Sequence, residues 1–268
     1  GIKPILGCEV YVASSDKTFK GKSDDYNYSH LILLAKNNQG YNNLIKIVSD
    51  AFTDGFYYKP RVDKELLRLY NEGLICCSAC LGGEIPQLIM RGDLEGAEAA
   101  VLEFKEIFGE DYYLEMQLHK AGDERDEHVY AYQLEVNREL RRLAAKHNIK
   151  LICSNDVHFV MKEDAEAHDL LICLNTNRYV DEPNRMRYTF QEYLKSADEM
   201  AELFPDDAEA LANTLEIADK VEEYKITHAP LMPDFPPPAD FHIDLDEVRG
   251  SMLKKVEDES LKERCLAV

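Results

Sequence analysis

The chain has 268 residues, of which 45% are hydrophobic and 31% charged, and its formal net charge at pH 7 is −20. This composition is ordinary for a globular protein with enough chain to bury a full core, and no apolar run reaches the roughly 18 residues of a membrane span. A surface this acidic repels phosphate backbones, which argues against non-specific nucleic-acid binding through clustered Lys and Arg. Nucleic acid bound by this domain must be held elsewhere or drawn to bound cations.

The cysteines are odd in number and lie mostly in apolar, strand-like runs, at positions 8, 76, 77, 80, 153, 173 and 265. This usage indicates reduced thiols in a cytoplasmic protein and not a disulfide framework. The chain opens at Gly1 without a methionine and enters an apolar run almost at once. We therefore expect that the natural start of the protein is missing.

Strand-like and helical patterns alternate over the first 160 residues. The strands are predicted over 5–12, 30–35, 74–78, 112–117 and 151–154, and the helices over 41–52, 64–70, 94–108 and about 124–146. Strands that are apolar on both faces and alternate with helices predict a parallel sheet covered by helices. Five such units favour a closed barrel over a short open sheet, and barrels of this type carry their chemistry at the C-terminal strand ends.

The pattern becomes helical after about residue 160, with helices predicted over 165–174, 197–204 and 207–221. Residues 228–241 hold five of the ten prolines, which predicts an extended connector because proline neither continues a helix nor fills a central strand. Residues 244–266 resemble one charged helix with few apolar partners in this chain. We expect its partner to be a following domain.

Side chains of the metal-binding type lie in or next to four of the predicted strands. Glu9 lies within the first, His30 opens the second, Cys80 follows the third, and Asp156 and His158 follow the last. Two-residue spacing in an extended backbone would point the last two to the same side, within reach of one ion. A mixture of carboxylate, imidazole and thiolate suits zinc, manganese or iron better than magnesium or calcium.

Each of these signals also has a simpler interpretation. Most Asp-x-His pairs are an aspartate capping a turn beside a surface histidine, a single cysteine is more often a small buried hydrophobe, and Glu9 could be the paired charge of an edge strand. His119 ends another strand and could line the same mouth or lie in an exposed turn. Spacing alone therefore suggests a metal site without establishing one.

Longer motifs occur in collinear order along nearly the whole chain. They are residues 1–12 (GIKPILGCEVYV), 30–37 (HLILLAKN), 55–61 (GFYYKPR), 78–84 (SACLGGE), 155–158 (NDVH) and 208–218 (AEALANTLEIA). Together they resemble the PHP (polymerase and histidinol phosphatase) domain near the start of the alpha subunits of bacterial DNA polymerase III, the C-family replicative polymerases. The resemblance continues to the proline connector.

The resemblance implies an α/β fold, a distorted seven-stranded TIM-like β/α barrel with up to three divalent ions, Zn or Mn, at its C-terminal end. Glu9, His30, Cys80, Asp156 and His158 fall on ligand positions of that cluster. The family's first ligand block, a His-x-His segment and an Asp-His-Gly segment, would precede Gly1. We therefore expect the barrel to lack its first strands and this chain to bind metal weakly or partially.

The resemblance also implies a domain organisation. Residues 1–195 would form the PHP domain without its N-terminal part, 196–227 a helical extension, 228–243 the proline-rich connector, and 244–268 the start of a palm-side region. The parent would be a DNA-directed DNA polymerase, a nucleotidyltransferase of DNA replication, whose palm carboxylates are not in this chain.

Two functions follow from the resemblance. In the first, the domain is a metal-dependent phosphoesterase of the 3′–5′ exonuclease type, and Lys59 and Arg61 contact phosphate or are solvated loop charges. In the second, it is a non-catalytic scaffold that stabilises the polymerase and docks a separate proofreading exonuclease subunit. The expected partners are DNA, that subunit and other replicase subunits, in the cytoplasm and without a membrane. A free-standing phosphatase of the histidinol-phosphate kind is disfavoured, because the match runs into the connector.

Overall fold

The computed structural model describes residues 2–20, 28–124 and 129–230, and the isolated positions 232, 246, 250, 253, 259 and 263. The chain divides into two compact units, Gly1–Ile226 and Thr227–Val268. In the second unit, residues 227–230 and 232 have no regular structure, and the other described positions are helical. Most of the predicted connector over 228–243 and of the predicted helix over 244–266 lies outside the described residues.

Strands and helices alternate through the described part of the first unit. The strands are β1 (Gly7–Ala13), β2 (Tyr28–Ala35), β3 (Phe56–Tyr57), β4 (Lys59–Val62), β5 (Leu74–Cys77), β6 (Tyr112–Gln117) and β7 (Lys150–Ser154). The helices are α1 (Asn38–Thr53), α2 (Lys64–Tyr70), α3 (Glu84–Met90), α4 (Leu94–Phe108), α5 (Tyr130–His147), α6 (Ala165–Thr176), α7 (Ala197–Leu203) and α8 (Ala208–Lys220). Every predicted strand and helix of this unit is present, with its ends within a few residues of the prediction except at the start of α5.

The sequence patterns missed β3, β4 and α3. Two of these contain a proline, which argues locally against regular structure. Pro86 lies in the first turn of α3, where the missing backbone N–H has no intrahelical partner to lose. Pro60 lies in β4, which is only four residues long.

The sheet has the strand order β3-β4-β1-β2-β5-β6-β7. The pairs β1–β4, β5–β6 and β6–β7 are parallel, whereas β2 runs antiparallel to both β1 and β5. The prediction of an all-parallel sheet is therefore wrong, because β2 runs antiparallel to both of its neighbours. Residues 14–20, the described part of the connection from β1 to β2, contain no helix that could make a parallel crossover. With β3 and β7 as outer strands, the sheet is open among the described residues; the α/β class is confirmed, and the sheet fits part of a TIM-like barrel.

Apolar side chains cover both faces of the sheet. Alternate residues of β5 and β6 enter two different clusters, as the two-residue period of a strand requires. Cys76, Tyr112 and Leu114 belong to the large cluster with α1 to α5, and Ile75 and Tyr113 belong to a smaller cluster. The smaller cluster also contains Ile217 of α8 and Val221, which follows that helix. Because both faces of the sheet are packed, the ends of its strands are held in place. The candidate site lies at these ends.

The six cysteines within the described residues, at positions 8, 76, 77, 80, 153 and 173, are free thiols. None of the described helices has both the length and the apolar character that a membrane crossing requires.

Candidate metal centre

The antiparallel β1–β2 pair brings Glu9 and His30 together. Tyr11 lies opposite His30 in the register, and Glu9 is two residues earlier on the same face of the strand. Oε1 of Glu9 is 3.2 Å from Nδ1 of His30, and the two side chains are 38% and 29% exposed. The pair is therefore open to an ion or a substrate from solvent.

The loop after β5 adds Cys80 to this pair. The backbone N–H of His30 donates to the carbonyl of Gly82 at 2.8 Å, and Sγ of Cys80 is 3.5 Å from Nδ1 of His30. A Cβ at Gly82 would lie 2.9 Å from the same nitrogen, so a side chain there would displace the imidazole. Burial raises the pKa of the Cys80 thiol to about 12, and the charges of Asp156 and Glu9 add to this effect. A cation bound here would favour the thiolate.

Asp156 and His158 lie in the loop after β7. Their carboxylate Oδ2 and imidazole Nε2 are 3.6 Å apart, and the interaction with this carboxylate raises the pKa of His158. The prediction that the backbone is extended here is wrong, since Asp156 has a φ of 45°, in the left-handed region. The pair is adjacent because of this left-handed residue and not because of strand alternation.

Three residues that the sequence patterns did not identify lie beside this pair: His168, Tyr188 and Glu192. The ring of Tyr188 is centred 4.5 Å from that of His158 and 5.1 Å from that of His168. Burial, together with the charges of Asp156 and Glu192, raises the pKa of Tyr188 to about 12. Nδ1 of His168 is buried without a hydrogen-bond partner among the described residues. No local motif marks these positions, because they meet only in the folded chain.

A further carboxylate, that of Glu115, is buried under the site. Its Oε1 accepts hydrogen bonds from the hydroxyl of Ser154 and from Nε2 of Gln117, the latter at 3.1 Å. Burial raises the pKa of Glu115. Glu115 and Cys80 line the same small cavity. The signal in the sequence is a charged residue inside the otherwise uncharged strand β6, which spacing arguments passed over.

The structure places the candidate phosphate contacts in different environments. Arg61 is 6% exposed, and its guanidinium donates to the carbonyls of Gly55, Lys17 and Phe19 at 3.2, 2.7 and 2.8 Å. A phosphate contact by Arg61 would have to displace some of these bonds.

Lys59 and His119 differ from Arg61 and from each other in their exposure and contacts. Lys59 is exposed, with Nζ 5.3 Å from the centre of the Tyr11 ring, which itself lies 5.5 Å from the His30 ring. His119 is 3% exposed, and both of its ring nitrogens lie within hydrogen-bond distance of protein groups.

The donors approach each other in pairs. Glu9 contacts His30, His30 contacts Cys80, and Asp156 contacts His158. The charge of Glu9 also acts on His158, and that of Asp156 on Cys80, so the two halves share one electrostatic environment. In the described parts of the chain, no group of three or more His, Cys, Asp or Glu side chains is placed to hold an ion. The donor types fit zinc or manganese, and closing a full coordination shell requires side-chain movement.

Residues 1–119 match the family model of the PHP domain. The chain is 43% identical to the DNA polymerase III subunit alpha of Borreliella burgdorferi, over 98% of this chain and 22% of that protein. It is 40% identical to the subunits of the same name from Treponema pallidum (90% of this chain, 20% of that protein) and Thermus aquaticus (81% and 18%). The chain thus spans about a fifth of the length of these relatives. Residues 1–119 are therefore a PHP domain, in a chain similar to part of the alpha subunits of bacterial DNA polymerase III.

Proposed function

We propose that this chain is part of the alpha subunit of a bacterial DNA polymerase III, and that its PHP domain is a metal-dependent phosphoesterase of the 3′–5′ exonuclease type. The single observation that carries the second part is the contact of Glu9, His30 and Cys80 across three strands or strand ends. These three residue types have no common structural reason to meet at a half-exposed position, whereas together they match the donor set of a zinc or manganese site.

The proposed domain extends to residue 195, beyond the residues that match the family model. The loop after β7 is bonded to residues 191–194, so the chain up to 195 is needed to support Asp156 and His158. The proposed helical extension over 196–227, the connector over 228–243 and the palm-side region over 244–268 follow it.

In this proposal, Glu9, His30, Cys80, Asp156 and His158 hold up to three divalent ions. Bound ions of this kind lower the pKa of water and offset charge on the attacking and leaving oxygens of a phosphoester. The chain's own groups orient the substrate. The phenol of Tyr188 lies beside His158 and can donate a hydrogen bond to a phosphate oxygen. The exposed ammonium of Lys59 lies near the same mouth and attracts the DNA backbone despite the acidic surface.

A second candidate is the non-catalytic scaffold, which stabilises the polymerase and docks a separate proofreading exonuclease subunit in the cytoplasm. It is favoured by the pairwise approach of the donors in the described residues and by the net charge of −20. Such a surface suits a basic protein partner better than DNA.

The two candidates are separated by metal content and trimming of a mismatched 3′ end, measured on the full-length alpha subunit without other exonucleases. Wild type, Asp156→Ala and His158→Ala are compared, with Asp54→Ala in the exposed turn after α1 as the control. The phosphoesterase proposal predicts bound zinc or manganese and trimming in wild type and the control, and loss of both in the two site variants. Absence of metal, or trimming that survives both substitutions, would leave the scaffold as the better account.

A further inference from the structure

The loop after β7 is braced by a separate segment of the chain. The backbone N–H of His158 donates to the carbonyl of Glu192 at 2.8 Å, and that of Leu194 donates to the carbonyl of Val160 at 3.2 Å. Phe159 forms a parallel bridge with Tyr193 between these two bonds. Residues 158–160 and 192–194 therefore pair like two short strands.

Asn155 closes this pairing at its upstream end. Its Nδ2 donates to the carbonyls of Gln191 and Tyr193 at 2.8 and 2.7 Å, and its own carbonyl lies 3.1 Å from Nε2 of His119. Nζ of Lys195 donates to Oδ1 of Asn155 at 3.2 Å and also to the carbonyl of Gln191. We name this set the Asn155 clamp: the side chains of Asn155 and Lys195 with the carbonyls of Gln191 and Tyr193. The clamp thus uses both N–H groups and the oxygen of the Asn155 side chain, and Asn155 is 6% exposed.

The clamp lies directly before a strained position. Asp156 has a φ of 45°, a conformation that is unfavourable for a non-glycine residue and persists only where its neighbours enforce it. Asn155 fixes the residue before Asp156, and the bond from His158 to Glu192 fixes the residue two positions after it. The direction of the Asp156 carboxylate is therefore set by the clamp and the pairing, and not by β7 itself.

The far side of the clamp is itself held by hydrogen bonds. The carboxylate of Glu192 is 2% exposed and accepts hydrogen bonds from the backbone and the hydroxyl of Thr189 at 3.0 and 2.6 Å, and from the backbone of Gln191 at 3.0 Å. Nζ of Lys195 lies 4.0 Å from the centre of the Tyr193 ring. The segment over 189–195 thus forms a folded turn against which the loop after β7 is held.

We propose that Asn155 and Lys195 are positioning residues for the candidate metal centre, which orient Asp156 and His158 without contacting an ion themselves. This inference rests on the proposed metal site. Partners that orient metal ligands typically change metal affinity by about 10–100-fold when they are removed.

The direction of the change in metal affinity distinguishes a positioning role of Lys195 from a purely electrostatic one. Lys195 is a cation, so if it acted only by repelling a bound cation, its removal would strengthen metal binding. Positioning predicts weaker binding. Burial of its ammonium lowers the pKa of Lys195 to about 8. Lys195→Met, which keeps an unbranched side chain of similar length, is therefore expected to leave the chain folded.

The test measures Mn²⁺ binding by calorimetry on the chelator-stripped full-length alpha subunit, for wild type, Lys195→Met and Asn155→Ala. Lys46→Met is the control, because Lys46 is exposed on α1 and its Nζ also lies over a tyrosine ring, that of Tyr70, at 5.1 Å. Both clamp variants are expected to bind Mn²⁺ about 10–100-fold more weakly than wild type, and the control to bind it equally. Unchanged or tighter binding in Lys195→Met overturns the inference.

Hydrogen exchange of the metal-free chain gives a second measurement that does not depend on an ion. The His158 amide is expected to exchange at least about tenfold faster in Lys195→Met than in wild type, while core amides of β6 are unchanged. Weaker Mn²⁺ binding with unchanged exchange would also overturn positioning. If wild type binds no Mn²⁺, the proposed metal site fails. Hydrogen exchange still decides whether the clamp orders the loop after β7. Equal exchange of the His158 amide in wild type and Lys195→Met would show that it does not.

Discussion

Gln133 in α5 contacts both the backbone and the ring of His119. Its Oε1 accepts from the backbone N–H of His119 at 2.7 Å, and its Nε2 lies 3.1 Å from Nδ1 of the ring. Because Nε2 of His119 faces the carbonyl of Asn155, which can only accept, Nε2 carries the proton and Nδ1 accepts from the Gln133 amide. Burial lowers the pKa of His119, in keeping with a neutral ring. His119 thus links α5 to the loop that carries Asp156.

This link predicts the effect of Gln133→Leu, which keeps the volume and removes both hydrogen bonds. The backbone N–H and Nδ1 of His119 lose their partners while still buried, so the free energy of unfolding should fall by about 1–3 kcal/mol. Chemical denaturation measures it. Gln39→Leu is the control, since Gln39 is exposed on α1 and bonds only to Asn43 among the hydrogen bonds described for its side chain. Equal stability of Gln133→Leu and wild type would contradict the assigned bonds.

Glu9→Gln should separate metal binding from folding. The Glu9–His30 pair is more than a quarter exposed on both sides, so its loss should cost at most about 1 kcal/mol of stability. The variant removes an anionic donor, and Mn²⁺ affinity should fall by at least the roughly tenfold that the loss of an outer-shell partner costs. Calorimetric titration with Mn²⁺ provides the measurement.

Glu65→Gln is the matched control for Glu9→Gln, because Glu65 also forms an exposed ion pair, with Arg68 on α2. Its Mn²⁺ affinity should equal that of wild type. If Glu9→Gln binds Mn²⁺ as tightly as wild type does, Glu9 is not a ligand and its contact with His30 is an ordinary surface pair.

The strands and most helices could be predicted because their signals are local. The runs over 64–70, 94–108 and 112–117 coincide with α2, α4 and β6, where apolar spacing and polar ends agree. Strand direction could not be predicted in this way. Apolar residues on both faces of β2 require burial, which an antiparallel strand meets as well as a parallel one. The apolar pattern therefore does not distinguish the two directions.

The residues of the candidate site likewise differ in whether a local sequence signal marks them. The five metal-type residues could be proposed from the sequence because each lies in or next to a predicted strand and within a contiguous family motif. Tyr188, Glu192 and Lys195 reach the site from more than 30 residues beyond Asp156, through backbone pairing that no local spacing encodes. Their contribution depends on tertiary structure, and the sequence patterns could not identify it.

Gly40→Ala should destabilise the chain, although the same change in an ordinary helix stabilises it by roughly 0.5–1 kcal/mol. A Cβ at Gly40 in α1 would lie 1.8 Å from the carbonyl oxygen of Gly73, in the turn that leads into β5. That oxygen also accepts from the backbone of Lys36 at 2.8 Å, so the turn cannot move without breaking a bond. We expect a loss of about 1–3 kcal/mol in the free energy of unfolding. Ser49→Ala, on the exposed face of α1, should be nearly neutral. A Gly40→Ala chain as stable as wild type would show that α1 and the turn can separate freely.

Glu115 should make the stability of the chain depend on pH. Burial raises the pKa of Glu115 above its ordinary value of 4.5, so the folded chain keeps a proton that the unfolded chain releases. The stabilising contribution is therefore fully present below about pH 4.5 and is lost as the pH rises through the raised pKa. Denaturant unfolding between about pH 4 and about pH 8 measures this fall.

Glu115→Gln removes the titration but also places an amide where the backbone N–H of Ala79 donates to the carboxylate, which adds a constant cost. The comparison must therefore use the slope of stability against pH, from which a constant cost cancels. In Glu115→Gln the downward slope should be smaller than in wild type, whereas Glu95→Gln, at an exposed position in the first turn of α4, should keep the wild-type slope. Identical slopes in all three chains would mean that Glu115 is ionised in the folded state. The Ser154, Gln117 and Ala79 donors would then outweigh burial, and a fixed negative charge would lie beneath Cys80 and add to the attraction of this end of the sheet for cations.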